Sequence, residues 1–229
     1  FSRNLGIYEN PDELLSISLG SAETTLLKLT SAYSAFVNGG KLVSPILIDR
    51  VQDSEGNTIL NNENRSCLNC DKLSYTGKDF PDVGDNFKQI FSPQTAYQIT
   101  SLLEGVVKRG TGKKLRDLNL NLAGKTGTTN KNTDAWFIGY TSNYVIGVYV
   151  GMDNPKPLGK FETGSKAALP IFKSFVENAL FKEDFKDFET PENIFLTRLN
   201  YDTGLKSSID DKNTIIEALK EQDINNIKN

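Results

Sequence analysis

The chain has no histidine, and that absence removes more chemistry than any other feature of its 229 residues. A Ser-His-Asp triad, a Cys-His pair and a His-ligated metal site all need an imidazole, so none can be assembled from this chain alone. Acid–base work must fall to lysine, carboxylates, tyrosine or a thiol. Cysteine is scarce too: Cys67 and Cys70 are the only two. A closed zinc site takes four ligands, so no structural metal is expected, and no cofactor either. Long apolar runs are missing. None approaches the roughly 18 residues of a membrane-spanning helix, and there is no signal-peptide pattern. Neither sign of charge dominates. With 26 Lys and Arg against 29 Asp and Glu, the net charge of -3 leaves no basic footprint for nucleic acid.

What is present is an ordinary globular composition, 38% hydrophobic and 24% charged, long enough for one sizeable core. The chain begins at Phe1 and its only methionine is Met152, so it reads as a piece of a longer product. Leu14 to Gly20 reads as a short buried segment before a turn. From Thr25, apolar Leu26, Leu29, Tyr33, Phe36 and Val37 recur at helical spacing, and Gly39-Gly40 ends the helix. Ile46 to Val51 and Thr58 to Leu60, joined by Asp53-Ser54-Glu55-Gly56, predict a hairpin. Residues 61–88 show no period and read as an irregular insertion.

Ser92-Pro93 opens a second helix, with serine as N-cap and proline in the first turn, running to Gly110 or Gly112. Three strands are expected over Leu120–Thr129, Ala135–Tyr140 and Tyr144–Gly151, antiparallel because their connections are short. Residues 166–181 suggest a third helix. Beyond about 183 the chain turns acidic, with a short hairpin suggested near Phe195 to Leu205 and weakly ordered last residues. The division expected is 1–181 and a partly ordered extension, 182–229.

The sharpest motif is Gly124-Lys125-Thr126-Gly127-Thr128-Thr129 inside the first strand. Lys-Thr-Gly is one of three elements of penicillin-interacting serine enzymes, beside S-x-x-K and S-D-N. Lys125 supplies a fixed positive charge for a carboxylate. Thr126 and Thr128 supply hydroxyls, and Gly127 lets another backbone or a substrate approach. An edge strand also offers free N–H groups to an extended peptide or a polarised carbonyl. Alone, the triplet could equally be a solvated lysine beside a strand kink.

The surrounding sequence resembles the transpeptidase domain of class A, bifunctional penicillin-binding proteins. Leu19-Gly20-Ser21-Ala22-Glu23, the helix ending Asn38-Gly39-Gly40, and Ser92-Pro93-Gln94-Thr95-Ala96-Tyr97 carry the resemblance. Arg109-Gly110-Thr111-Gly112, Ala123 to Thr129, Asp134 to Tyr140, Gly147 to Gly151 and Glu162-Thr163-Gly164-Ser165 continue it in order. It covers residues 1 to 180 and extends more loosely to about 208. The resemblance implies a mixed α/β fold in which helices cover an antiparallel sheet carrying the K-T-G strand. It implies a peptidoglycan D,D-transpeptidase working by serine acyl transfer and acylated by β-lactams. Lys125, Thr126 and Thr128 would contact the substrate carboxylate, and the Thr128 N–H would form half of an oxyanion hole. Implied partners are peptidoglycan stem peptides, β-lactam antibiotics and an upstream glycosyltransferase domain. The implied location is the periplasmic face of the inner membrane, with the anchor outside this chain.

Some family features are missing. No S-x-x-K precedes Lys125: residues 21–24 read S-A-E-T, and Thr25-Leu26-Leu27-Lys28 is a near miss on a structural helix. The nucleophile and its lysine are expected before Phe1. Ser2-Arg3-Asn4 satisfies S-x-N but sits directly against Leu5-Gly6-Ile7, and is read as a chance match. Leu26 and Lys28 replace the family's proline and acid. In an extracytoplasmic domain a local Cys67–Cys70 disulfide is the economical reading, with two free thiols the alternative. Trp136, Phe137, Tyr140, Tyr144 and Tyr149 read as sheet-face packing before a carbohydrate platform, and Asp134 as a turn residue. The rival functions are a class B transpeptidase, a serine β-lactamase fragment, and a non-catalytic penicillin-sensing or scaffold domain of the same fold.

Overall fold

Residues 123–150 form the central sheet of a computed structural model that describes residues 1–62, 65–68, 70, 82–85, 87–181, 185–208 and 210–227. Strands β1 (Ala123–Thr128), β2 (Ala135–Tyr140) and β3 (Val145–Val150) are antiparallel in the order β1-β2-β3. Gly127 faces Trp136, and Ile138 faces Gly147. The β2–β3 turn is held by Thr141, whose hydroxyl accepts the N–H groups of Asn143 and Tyr144 at 3.0 Å each.

Side chains alternate across the sheet, so each face takes its own helix. Helix α1 (Leu26–Val37) covers the Ile138 face at Gly147, in contact with Leu26 and Thr30. Its N-cap is Thr25, which accepts the Lys28 N–H at 3.2 Å, so the cap forms without the family's acid. Helix α2 (Pro93–Arg109) starts at Ser92, which accepts the Thr95 N–H at 3.2 Å. Helix α3 (Leu169–Ala179) covers the other face, where the Phe172 and Phe137 rings lie 4.7 Å apart. Gly139 makes room for that helix: a Cβ there would fall 2.6 Å from the Phe172 ring. Leu115, Leu122, Leu169 and Val176 complete this core.

One expectation gives way here and a second is met only in part. Leu14 to Gly20 is not buried: Leu15–Leu19 is a single 3-10 turn closed by left-handed Gly20, with Leu15 93% and Leu19 90% exposed. The leucine-rich run is curled into this turn, where the Ser18 hydroxyl donates to the Leu15 carbonyl. In the acidic C-terminal stretch, β4 (Ile194–Asn200) pairs along its length with β5 (Thr214–Lys220), and the expected short hairpin forms only at its end, where the Asn200 N–H donates to the Leu205 carbonyl at 2.9 Å and Leu199 bridges Lys206. Asn200 accepts from the N–H groups of Asp202 and Thr203, curling the chain into a long loop before β5. Helix α4 (Glu221–Asn226) follows. Strand β5 packs on α2: Gln98 donates to the Ala218 carbonyl at 3.2 Å and Arg109 pairs with Glu217 at 2.6 Å.

The chain forms two compact units, Val43–Lys88 and Phe1–Leu42 with Gln89–Asn229. Within the first, Arg50–Gln52 pairs with Thr58–Asn61, and Asp53 accepts the Asn57 N–H at 2.8 Å to close the turn. Residues Ile46 to Asp49, expected in the first strand, stay outside it. Cys67 and Cys70 are disulfide-bonded, with Cα atoms 5.8 Å apart. Of the stretch read as irregular, 63–64, 69, 71–81 and 86 lie outside the described residues.

Candidate functional site

The K-T-G strand is delivered by a sequence of stops. Helix α2 ends where the N–H groups of Gly110 and Gly112 both reach the Val106 carbonyl at 3.0 Å. A 3-10 helix, Lys113–Leu118, follows and is closed by left-handed Asn119. Strand β1 then runs along the outside of the sheet, so one of its edges has no strand partner among the described residues.

Which backbone groups face that edge follows from the turn after it. The Thr129 N–H donates to the Asp134 carbonyl at 3.2 Å, and the Asp134 N–H donates to the Thr129 hydroxyl at 2.9 Å. Thr129 therefore faces inward. Alternation along an antiparallel ladder turns the N–H and C=O of Thr128 and Thr126 outward. The Thr126 carbonyl is taken by the Lys125 ammonium at 2.9 Å. Lys125 is exposed and has no carboxylate partner among the described residues.

The same alternation separates the side chains. Lys125 and Gly127 share the Trp136 face, while Thr126 and Thr128 share the other. The three polar side chains can meet one ligand only around the outer edge. The Thr126 hydroxyl is paired with that of Thr111 at 2.9 Å. The Thr128 hydroxyl accepts the Gly164 N–H at 3.0 Å, keeping its own proton to donate. The backbone that comes close at Gly127 belongs to Gly164, whose own Cβ would land on the carbonyl oxygens of Trp136 and Gly127.

A loop frames the end of the strand. Asn132, left-handed at φ 53°, accepts the Leu158 N–H on its carbonyl at 2.9 Å and donates its amide to the Lys160 carbonyl at 3.2 Å. Tyr149 donates to Asp134 at 2.8 Å, and that bond raises the tyrosine's pKa. Asp134 is thus a turn residue. The aromatic residues divide by face and by strand. Phe137 and Tyr140 are fully buried, Trp136 is half-buried against Tyr149, and Tyr144 and Tyr149 are exposed because β3 has no outer neighbour among the described residues.

Ser2, Arg3 and Asn4 form a turn closed by the Ile7 N–H on the Ser2 carbonyl, at 3.0 Å, and make no hydrogen bond to Lys125 among the described residues. Sequence reasoning gave no role to Thr111, Asn132 or Gly164. Asn132 had a signal in retrospect, since asparagine tolerates the left-handed turn. The other two act through contacts that appear only once the chain is folded.

The penicillin binding protein transpeptidase domain model matches residues 5–177. Penicillin-binding protein 1A of Rickettsia felis is 38% identical over 231 residues, covering 99% of this chain and 29% of the relative. The chain thus spans under a third of that relative's length. Among solved structures, penicillin-binding protein 1A from Haemophilus influenzae superposes with a TM-score of 0.77 at 24% identity, covering 96% of this chain and 36% of that one. The PonA1 protein from Mycobacterium tuberculosis in complex with penicillin V gives 0.61 at 21% identity, covering 83% and 51%.

Proposed function

Since the chain belongs to the penicillin binding protein transpeptidase domain family, we propose that it forms the K-T-G wall of a class A peptidoglycan D,D-transpeptidase. A serine outside this sequence attacks the D-Ala-D-Ala peptide bond, its proton passing to a lysine. The terminal D-Ala leaves, and the acyl group moves to the amine of a neighbouring stem. That pairing needs no histidine, which suits the composition. The observation that carries the reading is the outer edge of β1, which has no strand partner among the described residues and presents the Thr128 N–H and Lys125, whose ammonium has no carboxylate partner among them. The Thr128 N–H serves as one oxyanion donor, while Lys125, Thr126 and Thr128 receive the substrate carboxylate. β-Lactams acylate the same serine. The parent also carries a glycosyltransferase domain and works outside the cytoplasm, held by an anchor elsewhere in it. The Cys67–Cys70 bond suits that oxidising location.

The test is acylation by a fluorescent penicillin. This chain alone is expected to take no covalent label, and labelling would put the nucleophile inside it. In the full-length parent, Lys125→Ala is expected to slow acylation about 100- to 1,000-fold, the usual effect of losing one such electrostatic contact. Unchanged acylation would remove Lys125 from the site. The 38% identity to a penicillin-binding protein 1A over nearly the whole chain favours class A over class B.

A further inference from the structure

Positive charge is concentrated at one place that the catalytic reading leaves unused. An open cleft of about 770 Å³ lies between the 3-10 helix Lys113–Leu118 and the first turns of α3. Lys113, Lys114, Arg116 and Lys173 line it over a floor of Leu169 and Pro170, with Asp117 the only carboxylate among the described lining residues. That carboxylate is engaged by Lys173 at 2.5 Å, and Lys113 and Arg116 have no ion-pair partner among the described residues. In a chain of net charge -3, a cleft with a surplus of three positive charges is a local inversion of the protein's field.

The cleft also adjoins the K-T-G wall. The Lys114 ammonium donates to the Ser165 carbonyl at 3.1 Å, and the neighbouring Gly164 N–H holds the Thr128 hydroxyl at 3.0 Å. An anionic polymer engaged at the outer edge of β1 therefore meets a second cationic surface within a few residues. Resting on the transpeptidase reading, we infer that this cleft is an exosite for the un-cross-linked peptidoglycan strand, whose stems each end in a carboxylate. It holds the polymer through a stem other than the one being processed. Lys113 and Arg116 make the contacts, Lys114 joins them, and the apolar floor takes the uncharged part of the stem.

The experiment uses this chain and fluorescently labelled, soluble, un-cross-linked strands, followed by anisotropy. Wild type is expected to bind with an affinity that weakens as salt is raised. The K113E/R116E pair is expected to weaken it at least tenfold with the urea midpoint unchanged, because both side chains are exposed. Strands with amidated carboxylates should bind wild type as poorly as native strands bind the double variant. Equal binding by wild type and K113E/R116E would overturn the exosite, as would tighter binding of polyglutamate, which would assign the cleft to an acidic protein. The two readings fail separately. Loss of acylation dependence on Lys125 in the parent leaves the strand binding measured here untouched, and the reverse holds too.

Discussion

Single atoms decide how the wall is held. Gly164 is the tightest point: a Cβ there falls on backbone oxygens of β1 and β2, which cannot swing away as a side chain would. Gly164→Ala is expected to destabilise by about 1–3 kcal/mol, read from urea unfolding, and to free the Thr128 hydroxyl. The Thr30 hydroxyl is buried beside Gly147 with no hydrogen-bond partner among the described residues. Thr30→Val should therefore stabilise, by about 1 kcal/mol in the same assay, because it removes an unsatisfied polar group at little change in shape.

Titration follows from the same local contacts. Burial raises Tyr33 and Tyr140, and the bond to Asp134 raises Tyr149. The unfolded tyrosines ionise near pH 10 and the folded ones only above it, so their contribution is complete below about pH 10 and is lost as pH rises further. Asp53, Asp117 and Asp211 are lowered chiefly by side-chain hydrogen bonds to Asn57, Lys173 and Asn200. Their contribution is present above the ordinary carboxylate value and is lost as pH falls through the lower folded value. With no histidine between those limits, the urea midpoint is expected to be flat from about pH 5 to 9. A midpoint change across that range would mean that some other group is strongly perturbed.

At the scale of elements, most boundaries were legible because they rest on local chemistry. Thr25 and Ser92 cap their helices where the sequence places them, and β2 matches its expected span residue for residue. Ser92→Ala is expected to cost about 1 kcal/mol of stability in urea unfolding, the usual price of an N-cap side chain. Helix α3 matters more. Phe172 is fully buried against Phe137 and Gly139, and Phe172→Ala should cost about 3–5 kcal/mol, with loss of the near-ultraviolet aromatic signal. The β4–β5 pairing was not legible. Its partner strand lies beyond a loop of more than ten residues, in a stretch whose average composition is acidic and polar, and only α2 gives it a surface to pack on. The Leu14–Gly20 turn misled for the opposite reason: its apolar residues read as a short buried segment, but none of the described chain covers Leu15 or Leu19.

For the whole molecule, the sequence by itself determined the chemistry available and the order of the parts. The missing imidazole removed histidine chemistry, and the K-T-G triplet with the collinear run of motifs carried the resemblance to the family whose domain matches residues 5–177. Residue types and short-range caps are properties of the chain, and they survive without knowledge of distant neighbours. Tertiary structure alone decided the rest. It turned the Thr128 N–H to an edge with no strand partner among the described residues, set Lys125 and the two threonines on opposite faces, and brought Gly164 from 36 residues away onto the strand. It also gathered Lys113, Arg116 and Lys173 into one cleft. Such contacts depend on which face of a sheet meets which helix, and that is set by burial of the whole core rather than by any local run of residues.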